Sequence, residues 1–171
     1  MEARARLFGH SIHQMLIPFP FGLLATSVIF DIIRLASGTP KFSEVAYWMI
    51  VVGVITGLLA APFGTADWTK IPSGTRAKRI GALHGIGNVV LVVLFLGSWL
   101  LRRGDPTTPT TLAYALSFVG VVLALITGWL GGELVDRLGV GVDSGAHLDA
   151  PSSLSGQPAA ADANSSRSVR A

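Results

Sequence analysis

Residues 80–101 read IGALHGIGNVVLVVLFLGSWLL, without a single Asp, Glu, Lys or Arg. Crossing about 30 Å of hydrocarbon takes roughly 20 mostly apolar residues in a helix, and a soluble core helix rarely runs so far without a charge. The stretch therefore predicts a membrane helix. It shows no two-residue alternation and is about twice the length of a barrel strand, which sets a β-barrel aside.

Three more windows are equally free of charge: residues 7–30, 45–66 and 106–132. Together they predict four spans, at about 16–35, 43–63, 79–101 and 111–132, in an all-α integral membrane four-helix bundle over residues 1–142. Pro18 and Pro20 mark the start of the first span, because a first helical turn does not need the missing N–H. Pro62 and Gly64 are expected to end the second, with Asp67-Trp68 opening the next loop. Arg102 and Arg103 close the third and are expected to snorkel towards headgroups. A cleaved signal peptide is a poorer reading of the first window, which ends at Asp31 and Arg34 without a small-x-small cleavage site. Those two residues, three apart, are expected to form an intrahelical ion pair. From residue 143 to 171 the chain is Ser-, Ala-, Gly-, Pro- and Asp-rich, so a disordered polar tail is expected.

The composition agrees: 50% of residues are hydrophobic, 13% are charged and the mean hydropathy is +0.58. An average soluble domain carries about 25% charged residues. The chain has no cysteine, which removes disulfides, iron–sulfur clusters, covalent c-type haem and cysteine nucleophiles. A metal would have to use His, carboxylate or water. The net charge is +3, but the basic residues are scattered over loops and form no nucleic-acid-binding stripe. They report orientation instead. The side holding the N-terminus and the 67–79 loop carries Arg4, Arg6, Lys70, Arg76, Lys78 and Arg79, with Arg137 after the fourth span. The other side carries Arg34, Lys41, Arg102 and Arg103. By the positive-inside rule both termini are expected in the cytoplasm.

Shifting the chain by 71 residues lays His13 on His84, and Ile55-Thr56-Gly57-Leu58-Leu59 on Ile126-Thr127-Gly128-Trp129-Leu130. Two helical hairpins related by an axis along the membrane normal, a parallel repeat, would give that pattern. The polar residues gather by depth: His10, His13, Asp67, His84, Glu133 and Asp136 all fall at one end of their helices. His84 and Asn88 are four apart on one helix face, with Gly81 and Gly85 allowing close approach of another backbone. Ionisable groups within a membrane are costly, so this notch is a candidate site. Asp67 is expected to find Arg76, Lys78 or Arg79, and Glu133 to pair with Arg137 four residues on.

The order of motifs is His13-Gln-Met-Leu-Ile-Pro-Phe-Pro-Phe-Gly, Pro62-Phe-Gly-Thr-Ala-Asp67-Trp, His84 with Asn88, Gly128-Trp-Leu-Gly-Gly-Glu133-Leu, then Gly139-Val-Gly-Val142. Over residues 10–142 it resembles the bacterial membrane family known as domain of unknown function 2231. The resemblance implies four helices in a bacterial inner membrane. Some relatives are joined to a Rieske iron–sulfur domain, which implies electron transfer with a Rieske-type partner. Members usually carry proline after the first histidine, where this chain has Gln14, and often tyrosine where it has Asp136.

Three functions are compatible with these residues. A structural or assembly role would use the notch only to lock helices together. A b-type haem between His13 and His84, with Asn88 nearby and Arg76, Lys78 or Arg79 at its propionates, would make an electron-transfer module. A divalent-metal site drawn from His10, His13, His84, Asp67 and Glu133 would serve transport or metal-assisted chemistry. No hydrolase, kinase or nucleotide-binding motif is visible, and apart from lipid and a possible redox protein no partner is indicated.

Overall fold

The structure is a computed structural model, and it describes residues 1–161. Four helical spans run up and down. The first comprises α1 (Ile12–Leu16) and α2 (Pro18–Ser37); α3 is Lys41–Lys70, α4 is Arg76–Arg102 and α5 is Thr111–Gly132, continued by a π-helical turn over Glu133–Arg137. All four are long and apolar enough to cross a membrane. This is an integral membrane four-helix bundle. Residues 143–161 form turns and bends, and the remainder of the expected tail, 162–171, lies outside the described residues.

The ends of the helices depart from expectation in two places, and a short hairpin precedes the first helix. The first span starts at Ile12, ahead of the prolines: Ser11 caps it by accepting from the Gln14 N–H at 3.5 Å. Backbone bonds from Ile17 to His13 and from Phe21 to Ile17 carry the helix across Pro18 and Pro20. Pro62 lies inside α3 and does not end it, since a membrane helix in contact with neighbours tolerates the bond that proline removes. Asp67 and Trp68 therefore sit in its last turn instead of opening a loop. A two-residue hairpin, Arg6–Leu7 (β1) paired with His10–Ser11 (β2), precedes α1. Its turn takes Phe8 and Gly9 to φ 51° and 87°, both in the left-handed region that a tight hairpin demands.

Helix α2 packs on α3, α4 on α5, α3 on α4 and α2 on α5, so the helices form a ring with α2 and α4 across a diagonal. In lipid no hydrophobic force drives apolar helices together, and close van der Waals contact takes its place. Glycines supply that closeness. A Cβ at Gly53 would stand 2.6 Å from Leu24, and one at Gly120 2.7 Å from Phe95. Leu24, Val28, Ile50, Val54, Leu91 and Phe95 form the buried centre, while Leu83, Ile86, Val89 and Val93 face outward.

Leu24 and Phe95 are 71 apart, as are His13 and His84, but their partners Gly53 and Gly120 are 67 apart. The contacts are compatible with a repeated hairpin whose second helix has slipped by one turn. In that register Ala46 meets Ala113 and Tyr47 meets Tyr114.

The polar core lies towards the end opposite the histidines. Arg102 does not snorkel and is fully buried. Its guanidinium reaches both oxygens of Asp31 at 2.7 Å and contacts Ser98 at 3.1 Å and Ser117 at 3.3 Å. The expected Asp31–Arg34 pair is absent, because Asp31 faces the bundle interior, where a planar donor fork matches both its oxygens. Arg34 Nε is buried without a hydrogen-bond partner.

Candidate functional site

The other end of the bundle carries the two half-buried imidazoles. His13 Nδ1 lies 3.0 Å from the Ala60 carbonyl oxygen on α3, and His84 Nδ1 lies 2.9 Å from that of Thr127 on α5. A carbonyl oxygen can only accept, so Nδ1 carries the proton in each ring and, in a neutral imidazole, Nε2 presents its lone pair. Each ring also rests on a glycine of the same helix. A Cβ at Gly64 would stand 2.6 Å from His13 Cε1, and one at Gly131 3.2 Å from His84 Cε1. Each histidine thus meets a carbonyl and a glycine four residues further along the second helix of its hairpin.

Their surroundings differ. Asn88 Nδ2 lies 3.2 Å from His84 Nε2 and donates to the His84 carbonyl at 2.8 Å, so the sequence-predicted pair on α4 is joined. His13 is aligned from the start of its helix, where Ser11 both caps α1 and donates to Asp67 at 3.4 Å. Gln14 reaches the Val140 carbonyl at 3.5 Å and ties α1 to the glycine-rich segment after α5.

The other candidate residues are dispersed. Asp67 meets neither Arg76, Lys78 nor Arg79: its Oδ1 accepts from the backbone N–H of Arg4 at 2.6 Å and of Ala5 at 3.5 Å. Helix α3 runs on past Pro62 and carries Asp67 beneath the N-terminal segment, away from the basic start of α4. Lys78 lies 3.9 Å from the centre of the Trp68 ring and donates to the Trp68 carbonyl at 2.8 Å. Glu133 pairs with Arg76 at 2.6 Å instead of Arg137, because the π-helical turn changes the spacing on which a four-residue pair depends. Arg79 is exposed at the start of α4. His10 contacts Ser153 at 3.4 Å. Among the described residues no three His, Cys, Asp or Glu side chains gather as a metal site.

Sequence reasoning missed the contributions of the Ala60 and Thr127 carbonyls, since a backbone acceptor leaves no trace in residue type. Gly64 and Gly131 did leave one, as small residues one turn beyond each acceptor. A family model described as "Predicted membrane protein (DUF2231)" matches residues 9–144. No curated protein and no solved structure matches the chain.

Proposed function

The chain belongs to the DUF2231 family of predicted membrane proteins, and on that premise we propose that it holds one b-type haem between His13 and His84 and passes electrons in a bacterial inner membrane. The observation carrying this reading is the shared posture of the two rings: each gives its Nδ1–H to a carbonyl, which leaves Nε2 as the lone-pair nitrogen, although at His84 the Asn88 amide would have to release that nitrogen to a ligand. Metal-ligating histidines are oriented in the same way, and the hydrogen bond raises their basicity.

The donor set suits haem better than a bare divalent ion. His13 and His84 would be enough protein ligands to hold a haem iron, whereas a zinc site takes three or four protein ligands. Haem would supply a one-electron iron couple. The residues would do the rest: the Ala60 and Thr127 carbonyls hold the tautomers, Gly64 and Gly131 make room for the rings, and Asn88, on giving up Nε2, would keep its bond to the His84 carbonyl. At the start of α4 Arg79 is exposed and would be available to propionates, as would Arg76 on release from Glu133, while Lys78 is held by Trp68. The basic loops at this end support a cytoplasmic site, and a Rieske-type redox partner is the one that the family resemblance implies.

A structural or assembly role is the second reading. It is favoured by the Asp31–Arg102 cluster, whose polar groups satisfy one another inside the bundle. Purification in mild detergent from cells supplied with iron and haem precursor, followed by visible spectroscopy and metal analysis, separates the readings. The haem reading expects a Soret band with α and β bands on reduction, lost in His84→Ala. A colourless, metal-free, folded protein supports the structural role, and stoichiometric metal without that spectrum would revive a divalent-ion site.

A further inference from the structure

Asp67 is buried, and its three hydrogen-bond donors all come from the segment that leads into α1: Arg4 N–H, Ala5 N–H and the Ser11 hydroxyl. No Lys, Arg or His lies within ion-pair distance of it among the described residues. A buried carboxylate without a cation is costly unless hydrogen bonds satisfy it, and here they tie one helix end to the start of another.

The placement on α3 is specific. Ala60, Gly64 and Asp67 follow one another at four and three residues, the spacing that keeps side chains on one helix face. All three act on the start of the first span. The Ala60 carbonyl takes the His13 Nδ1–H, Gly64 leaves room for the ring, and Asp67 binds the Ser11 hydroxyl. Ser11 in turn accepts from Gln14 N–H as the cap of α1. The short hairpin of Arg6–Leu7 with His10–Ser11, and the Ile12 N–H to Ala5 carbonyl bond at 3.1 Å, make the segment one unit.

We propose that Asp67 is a positioning residue for His13, acting through Ser11 to fix the first turn of α1 and so the direction of His13 Nε2. The proposal rests on the haem reading for its purpose, but its geometry stands without it. The second hairpin explains why the device occurs once. His84 lies within α4, where the surrounding turns hold it, and Asn88 contacts its Nε2 directly. The residue 67 positions beyond Asp67 is Leu134, a buried apolar side chain. His13 lies two residues from a helix end, where fraying would release it.

The test is nitrogen NMR of the full chain in lipid nanodiscs, with histidine labelled selectively and the His13 and His84 signals assigned by His→Gln variants. The wild type is expected to show His13 as a single Nδ1–H tautomer with a hydrogen-bonded proton. Ser11→Ala and Asp67→Ala are each expected to lose that proton signal and average the two nitrogen shifts, leaving His84 unchanged. Ser11→Thr, which keeps the hydroxyl, is expected to restore it. An unchanged His13 signal in Ser11→Ala overturns the proposal, as does equal loss at both histidines. If Asp67→Ala does not fold, Ser11→Ala against Ser11→Thr decides alone. Absence of haem from the wild type would defeat the functional reading while leaving this measurement intact.

Discussion

Arg102, the last residue of α4, closes a two-pronged ion pair with Asp31 of α2 across the diagonal of the bundle, both contacts at 2.7 Å and both side chains fully buried. Ser98 and Ser117 occupy further guanidinium donors, and the Tyr114 ring lies 5.1 Å from its carbon. Removing one member leaves the other as an uncompensated buried charge, which costs about 3–5 kcal/mol. Arg102→Leu and Asp31→Leu are each expected to destabilise the bundle by about that much. The double variant is expected to recover most of the loss. Unfolding in mixed detergent micelles measures this, and single variants with wild-type stability would remove the pair from the architecture.

The Arg76–Glu133 contact looks similar on paper but differs in its setting. The Arg76 side chain is 52% exposed, and pairs open to water contribute about 0–1 kcal/mol. Arg76→Gln is therefore expected to shift stability by less than about 1 kcal/mol. A loss approaching that of Arg102→Leu in the same micelle titration would show that Glu133 is more isolated from solvent than it appears.

Gly64 and Gly131 support equivalent rings with unequal clearance, 2.6 Å and 3.2 Å from a hypothetical Cβ. A methyl group at residue 64 must displace His13, whereas at residue 131 a small adjustment suffices. Gly64→Ala is expected to cost about 1–3 kcal/mol, the usual range for overpacking, and to lower haem retention; Gly131→Ala should do less of both. Equal effects in paired thermal melts and absorbance spectra would contradict the stated packing.

Asp105, in the loop between α4 and α5, has a carboxyl pKa lowered from 3.8 to about 2, chiefly by the Thr107 hydroxyl and then that of Thr108. Because the folded value is depressed, any stability from this turn is present above 3.8 and disappears as pH falls through about 2. Carboxyl-carbon NMR titration should give that low midpoint, and Thr107→Val should move it towards 3.8. An unchanged midpoint in the variant would show that the hydroxyl is not its cause.

The spans were legible because lipid imposes a coarse rule: long windows without charge. The helix ends were not. Charge-free windows stop at Asp67 and Arg102, although both residues remain helical, and proline at 62 reads as a break unless neighbouring helices are known. The 71-residue shift singled out the two histidines, while the carbonyls that accept from them left no mark in the sequence. Asp31 was assigned to Arg34 because helical spacing reveals only local partners. The shift that superimposes His13 on His84 also superimposes Asp31 on Arg102, a signal that opposite charges occupy equivalent sites. The fate of Asp67 depended on the unexpected fold of the residues before Ile12, where no periodic pattern exists to read.

The most direct measurement is titration of haem into the purified apoprotein, with electron paramagnetic resonance of the ferric product. Ligation by His13 and His84 predicts one haem per chain and a low-spin signal of two imidazoles, with either His→Ala variant losing that signal. Failure to retain haem, or the same low-spin signal after both histidines are replaced, would contradict the account.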